Sequence, residues 1–399
     1  MSRRLLLGFC AAWFAGVGAL AAGESGPEEK PLSYWVDRLG HVDRQVRLAA
    51  VEAIGKRPGD AAKAVPALVD TLDDDDADVS VAAVRALGAM GPVGKPALSQ
   101  AIEAMKRRDF ASTQRPAWYE IGVALGAFGT EALPELVAAL NHENPQVCLG
   151  ATAALHEIGP QAGPAVPPLI ELLERDDPTT RRGAMHAFIG IGPAAAEAVP
   201  ALIDALHHDD FHMQYWSCRA LAQIGPGAKA AVPTLIERLE NGLPSVRRHA
   251  ASALGGIGPE IGQPGIAALA AALGDRLEPV REDAAVALGR LGPAAQAAAP
   301  ALRNALARRT IAARVAAARS LWRITGDAEA AVAAIADELD DPTWAIDAAE
   351  ALGQMGPAAR SVLPVLTELS KSETVELDLR EAAAEAIEKI DPARVEAQP

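Results

Sequence analysis

The sequence predicts an all-α fold: a right-handed α-solenoid, or superhelix, of about ten to eleven helical hairpins. Three observations carry that expectation. The segment Leu221-Ala-Gln-Ile-Gly-Pro226 recurs at Leu87–Pro92, Leu155–Pro160, Phe188–Pro193, Leu254–Pro259, Leu288–Pro293 and Leu352–Pro357, with looser copies at Ile54, Leu125, Leu321 and Ile387. Its first residue, the anchor, recurs most often every 33 residues. A fixed period of that size belongs to stacked supersecondary units. Between anchors the apolar residues keep helical spacing, and no alternating β-branched runs appear, so no sheet is expected.

The N-terminus reads as an address. Arg3 and Arg4 precede an apolar run from Leu5 to Leu20, and Ala19-Leu20-Ala21 supplies small-residue cleavage positions. That is the layout of a secretory signal peptide over 1–21. The expected location is therefore periplasmic or extracellular. The run is short for a membrane span and lacks a stop-transfer flank, and no later stretch reads as continuously apolar over a bilayer's width. Residues 22–33, rich in Gly, Glu, Pro and Ser, read as a flexible leader, and Tyr34 to Ile54 as an N-terminal capping unit in which Trp35 and Leu39 cover the first core layer.

One unit, residues 233–259, serves for the rest. Pro233 suits the first helical turn, where a missing N–H costs nothing. Leu235, Ile236 and Leu239 then form the apolar stripe of helix A. Asn241-Gly242-Leu243-Pro244-Ser245 breaks the chain. Helix B follows, with Val246, Ala250, Ala253, Leu254 and Ile257 inward, and Gly258-Pro259 ends it. Alanine is frequent because helices packed on two sides need small residues, and it has the best helix propensity.

Two polar positions recur. An acid or amide sits eleven before the anchor: Asp43, Asp76, Asn144, Asp177, Asp210, Asp341 and Glu376. These are placed to cap helix B. An arginine sits seven before it: Arg47, Arg181, Arg247, Arg281, Arg314 and Arg380. Successive copies are expected to form a structural Asp–Arg ladder. The array is expected to run without a domain boundary over 34–391, followed by a short disordered tail over 392–399.

The pattern VP-x-L-x-x-x-L, then D-x-x-V-R-x-x-A-A-x-A-L-G-x-I-G-P, resembles the HEAT repeat family, and most nearly the short bacterial HEAT-like units of the phycobilin-lyase type. The resemblance covers about residues 34–391. It implies an armadillo-like superhelix that binds protein partners on a concave side lined by B helices. On that register the positions six, five and two before each anchor face outward. In the middle of the array they include Tyr119 and Glu120, Arg182 and His186, Tyr215, Trp216 and Arg219, and Arg248 and His249, with Trp118 adjoining. Tyr, Trp and Arg are enriched at binding hot spots, and only 4% of the chain is aromatic. This set is the expected groove for a protein or peptide partner.

Departures from the repeat supply the other candidates. The anchor spacing widens to 38 before Leu125 because of the basic stretch Met105 to Arg115. Insertions in solenoids map to loops on one face, often the binding face. His207, His208, Asp209 and His212 crowd one A–B turn and offer imidazole and carboxylate ligands for a metal. Asp73 to Asp76 with Asp78 offer oxygens but lack the glycine and terminal glutamate of a calcium loop. Deoxyhypusine hydroxylase, a HEAT-like enzyme, holds iron on His-Glu pairs at matching positions. Here His142-Glu143 and His156-Glu157 occupy different positions of one repeat.

The net charge is −15, or −17 without Arg3 and Arg4. That disfavours nucleic acid and anionic membrane as partners. Cys148 and Cys218 fall two repeats apart, too far for a disulfide. No phosphate loop, nucleophile elbow or H-E-x-x-H motif is present. No cofactor is implied, and a monomeric, exported interaction scaffold is the expectation. The other readings are a metal-assisted or lyase-like enzyme, and a structural envelope component without a discrete ligand.

Overall fold

The computed structural model describes residues 30–57, 61–104, 117–306 and 311–392. The expected signal peptide, most of the leader, the basic insertion and the tail beyond Pro392 lie outside them. Among the described residues there are helices and turns and no strand.

The chain divides into two compact units, Met1–Ala132 and Leu133–Pro399. Each solenoid repeat packs on its neighbours alone, and the division falls at the seam between one repeat's closing turn and the next helix A. The first unit holds α1 (Leu32–Val36), α2 (Arg44–Gly55), α3 (Val65–Thr71), α4 (Ala77–Ala89), α5 (Leu98–Ala104) and α6 (Ala117–Leu125). Pro31 stands at the N-cap of α1, and the Arg57 guanidinium donates to the Lys30 carbonyl. Residues 30–33 are therefore tied to the packed unit. Leu39 is buried and Trp35 half-buried.

The second unit alternates A and B helices. They run α7 (Leu133–Ala139), α8 (Pro145–Ile158), α9 (Val166–Leu173), α10 (Pro178–Ile191), α11 (Val199–Leu206), α12 (Phe211–Ile224), α13 (Val232–Asn241) and α14 (Pro244–Ile257). The series continues with α15 (Gly262–Ala272), α16 (Glu278–Leu291), α17 (Ala299–Leu306), α18 (Ile311–Thr325), α19 (Ala328–Ala336), α20 (Ala345–Met355), α21 (Leu363–Lys371) and α22 (Leu377–Ile390). Every helix B packs on the next helix B and on its own helix A. Of the inward residues expected in residues 233–259, Leu235, Leu239, Val246, Ala250, Ala253, Leu254 and Ile257 are buried, and Ile236 is half-buried.

The Gly-Pro segment ends helix B by backbone geometry. Gly225 has φ 70° and ψ −136°, a region open essentially to glycine. Its N–H reaches back to the Leu221 carbonyl, so the anchor also closes the helix. A 3-10 turn, Gly225–Ala231, then leads directly into α13. Such a glycine also interrupts two apolar helical stretches, Trp118–Ala139 and Pro178–Leu206. Both are long and apolar enough by composition to cross a bilayer, contrary to the sequence expectation, but Gly129 and Gly192, with φ 60° and 59°, break each into separate helices.

Five of the seven expected caps bond as anticipated. Asp43, Asp76, Asn144, Asp177 and Asp210 each accept from a backbone N–H of the first turn. Asp341 accepts from Thr343 N–H, but a turn intervenes and the helix starts only at Ala345. Glu376 stands at the N-cap position without a side-chain bond.

The ladder exists with a different acid. Arg47 forms a two-point pair with Asp74, at 2.7 and 2.8 Å, and Arg247 the same with Asp275, at 2.8 and 2.9 Å. Asp74 and Asp275 lie in the next repeat's turn, two residues before its cap position. A capping carboxylate has already committed an oxygen to the helix N-terminus. The acid two residues earlier points back along the stack, where the preceding repeat's arginine reaches it. Asp43 and Asp177 therefore cap without taking these arginines. Arg314 instead contacts Asp337 and Glu338, each at 2.8 Å. Arg181 and Arg281 donate to the carbonyls of Arg175 and Asp275, and the buried Nε atoms of Arg181, Arg281 and Arg380 have no partner among the described residues.

Candidate functional site

The B helices of the second unit carry a line of rings that crosses four of them in succession. On α8, His156 stacks on His186 of α10, with centroids 4.0 Å apart and planes 17° apart. His186 meets Trp216 of α12 edge to face at 6.3 Å. Trp216 meets Tyr215 edge to face at 5.1 Å, and Tyr215 lies 4.3 Å from His249 of α14. All five rings are half-buried. Their inner edges pack on the B helices and their outer surfaces stay accessible, as an amphipathic aromatic does at a recognition surface.

Helix spacing makes the line continuous. A Cβ at Gly190 would fall 2.3 Å from the His156 carbonyl oxygen, and one at Gly256 would fall 2.5 Å from that of Ala222. Only glycine lets these helices approach so closely, which brings His156 into stacking distance of the next helix. His156 Nδ1 also lies 2.8 Å from the His186 carbonyl.

Arg219 occupies the centre. Its guanidinium carbon is 4.8 Å from the Trp216 ring centroid and 5.8 Å from that of Tyr215, within cation–π range. One Nη donates a long 3.5 Å bond to the Tyr215 hydroxyl. Burial, then the neighbouring charges of His156 and Arg219, hold His186 down to about 4. Burial likewise lowers His249, which keeps a 2.7 Å contact with the Ser245 carbonyl. At neutral pH these imidazoles are flat neutral walls and Arg219 carries the charge.

Arg182 is exposed on α10, and Arg248 on α14 pairs with Asp283 of α16 at 2.5 Å. Beyond that pair the outward positions of α16 and α20 carry Glu282, Asp283, Asp347 and Glu350, while α18 between them carries Arg319, which donates to the Gln354 side-chain oxygen. Burial, and then repulsion led by Asp283, raise the Glu282 carboxyl above its ordinary value. The remaining expected groove residues, Trp118, Tyr119 and Glu120, lie on α6 of the first unit, where the two rings meet edge to face at 5.9 Å.

Sequence reading missed His156, weighing it only within a His-Glu pair that did not match the iron-binding pattern. The available signal was glycine two places after the anchor, at Gly190 and Gly256, where other repeats carry larger residues. A second missed position lies two before the cap. His41, His142 and His208 each accept the cap residue's N–H through Nδ1, while Asp74 and Asp275 accept the equivalent N–H through a carboxylate.

That position accounts for the His-rich turn. His208 supports Asp210, Asp210 caps α12, and His207, Asp209 and His212 stand exposed around them. Among the described residues no three potential ligands converge on a metal position. In the acidic turn Asp74 serves Arg47 and Asp76 serves Arg44. Cys148 and Cys218 are buried free thiols, and burial pushes Cys218 up to about 12.

Comparison with known proteins fits this geometry of stacked A–B hairpins. Models of HEAT repeats match residues 32–119, 119–189, 166–254 and 232–322. The chain belongs to the HEAT repeat family. Among solved structures this HEAT array is similar to the karyopherin Kap121p bound to the SUMO protease Ulp1p. Identity is 14% and the TM-score 0.54, over 93% of this chain and 46% of that one. It is also similar to importin beta, at 16% identity and a TM-score of 0.53, over 91% of this chain and 58% of that one. These likenesses are of fold, and the array spans about half the length of those karyopherins. No curated protein matches the chain by sequence.

Proposed function

We propose that this chain is an exported HEAT-repeat scaffold that holds a protein or peptide segment against the B-helix face of its second unit. The observation that carries the reading is the line of five half-buried rings crossing four successive helices around Arg219. A purely structural array has no need of aromatic rings at those outward positions, where alanine or a solvated polar side chain costs less ordering entropy. The karyopherin relatives whose structures contain the SUMO protease Ulp1p or the phosphatase Cdc14p tail agree with a protein partner. The short unit with its Gly-Pro end fits the bacterial phycobilin-lyase type of HEAT-like repeat. Export rests on the basic, apolar and small-residue sequence of 1–21.

The test is capture of partners from envelope and secreted extracts by residues 22–399. The Trp216→Ala/Arg219→Ala double variant runs beside it. Expected is a partner held by the wild type and lost by a variant that melts within a few degrees of it. A partner retained by the variant moves the site elsewhere, and no partner at all favours a structural envelope component. N-terminal sequencing of the exported protein, beginning near residue 22, checks the address.

A further inference from the structure

We infer that the site on α12 seats a carboxylate of an acidic partner segment on the guanidinium of Arg219, between the rings of Trp216, Tyr215 and His186. This rests on the scaffold reading and adds the partner's chemistry.

The first argument is charge accounting. The chain is strongly acidic, and several arginines of its B helices are matched. Arg47 takes Asp74, Arg247 takes Asp275, Arg248 takes Asp283, and Arg314 takes Asp337 and Glu338. Arg219, beside the Trp216 and Tyr215 rings, and Arg182, four residues before His186 on α10, have no carboxylate within ion-pair distance among the described residues. Arg181, Arg281 and Arg319 have none there either but bond to backbone carbonyls or an amide oxygen. In a protein with this excess of acid, two unmatched guanidiniums on one face present a complement to a negative ligand.

The second argument is donor capacity. A guanidinium carries five N–H donors in a planar fork, and Arg219 uses one in a long bond to a tyrosine hydroxyl. A fork otherwise free accepts a carboxylate through two parallel bonds, the strongest geometry available to it. With the half-buried rings beside it Arg219 is only partly solvated, which strengthens such a bond. They also offer flat apolar surface to the side chains flanking the acid.

The third argument is direction. Glu282 and Asp283 follow on α16, the next helix B after α14, and repel a segment that is acidic throughout. The fitting ligand has its acid over α12 and neutral or basic residues toward α16. Continuous polyanions such as nucleic acid are disfavoured by the same residues.

The test uses the full chain and three fluorescein-labelled octapeptides alternating leucine with glutamate, glutamine or lysine. Binding is read by anisotropy at low and moderate salt. The glutamate peptide is expected to bind at least about tenfold more tightly than the other two, as charge-assisted bonds require. Arg219→Gln is expected to abolish that preference, while Arg290→Gln, an exposed arginine on α16, leaves it. Arg219→Lys, which keeps the charge and loses the fork, should fall between, and a thermal melt confirms that each variant is folded.

Equal binding of the glutamate and glutamine peptides, tighter binding of the lysine peptide, or indifference to Arg219→Gln would overturn the inference. A lysine peptide released by Trp216→Ala would retain the scaffold reading and reverse the partner's sign. Failure of all three peptides removes the acidic segment, while the capture experiment decides the scaffold separately.

Discussion

Asp275 shows what one side chain does for the array. Burial alone would raise its carboxyl, but the Arg247 bond, the Leu277 N–H and the charges of Arg247 and Arg276 outweigh it and hold it below its ordinary 3.8. A depressed folded value means that the unfolded chain takes up the proton first as pH falls. The pair's contribution is therefore fully present above about pH 4 and is lost as pH drops through the lower folded value. The side chains of Arg247 and Asp275 are 7% and 14% exposed, so breaking the pair leaves a charge with little solvent around it. Asp275→Asn is expected to lose about 3 kcal/mol near pH 7, the cost of orphaning a buried partner. Urea melts at about pH 7 and pH 3 check this, since the gap to wild type should narrow in acid. A gap of equal size at both would assign the loss to packing. The arginine was legible from its recurrence. Its partner was not, because the acid lies in the next repeat's turn and only stacking reveals which carboxylate faces back.

Helix ends were the most legible elements. Asp177 accepts from the N–H groups of Thr179 and Thr180 and from the Thr180 hydroxyl, and these bonds, led by the hydroxyl, hold its carboxyl low. The repeats at Leu243 and Leu277 lack that device, and Leu243 is 56% exposed at the N-cap of α14 with no side-chain bond. Leu243→Asp is expected to stabilise the protein by about 1 kcal/mol, the usual worth of an N-cap. Denaturant midpoints compared with Leu243→Asn measure it, because both side chains cap and only one adds charge at the helix dipole. No gain from either would mean that the Pro244 first turn is already satisfied by solvent. The face of each helix B was also legible by counting from the anchor. Glycine two places past the anchor carried a signal, but its meaning is a distance between two helices, which a count along one chain does not contain.

For the whole molecule, the division at Ala132 and Leu133 predicts behaviour. Nearest-neighbour arrays gain stability by adding interfaces, so a piece containing complete repeats keeps its own. The fragment 133–399 is expected to fold alone, with a helical circular dichroism spectrum and a cooperative melt, and to carry the Arg219 site intact. A fragment without a cooperative transition would place the folding boundary elsewhere.

The sequence by itself determined the all-helical class, the repeat period, the A and B helices, most of their caps and the outward register that named Tyr215, Trp216, Arg219 and His249. These follow from local spacing and turn chemistry, which act within one hairpin. Tertiary structure alone decided that His156 joins the ring line, that Asp74 and Asp275 complete the ladder, and that among the described residues Arg219 is left without an acid while Arg248 is matched. Each of those is a relation between side chains roughly one repeat apart. It depends on how closely two helices stack, which period and composition do not specify.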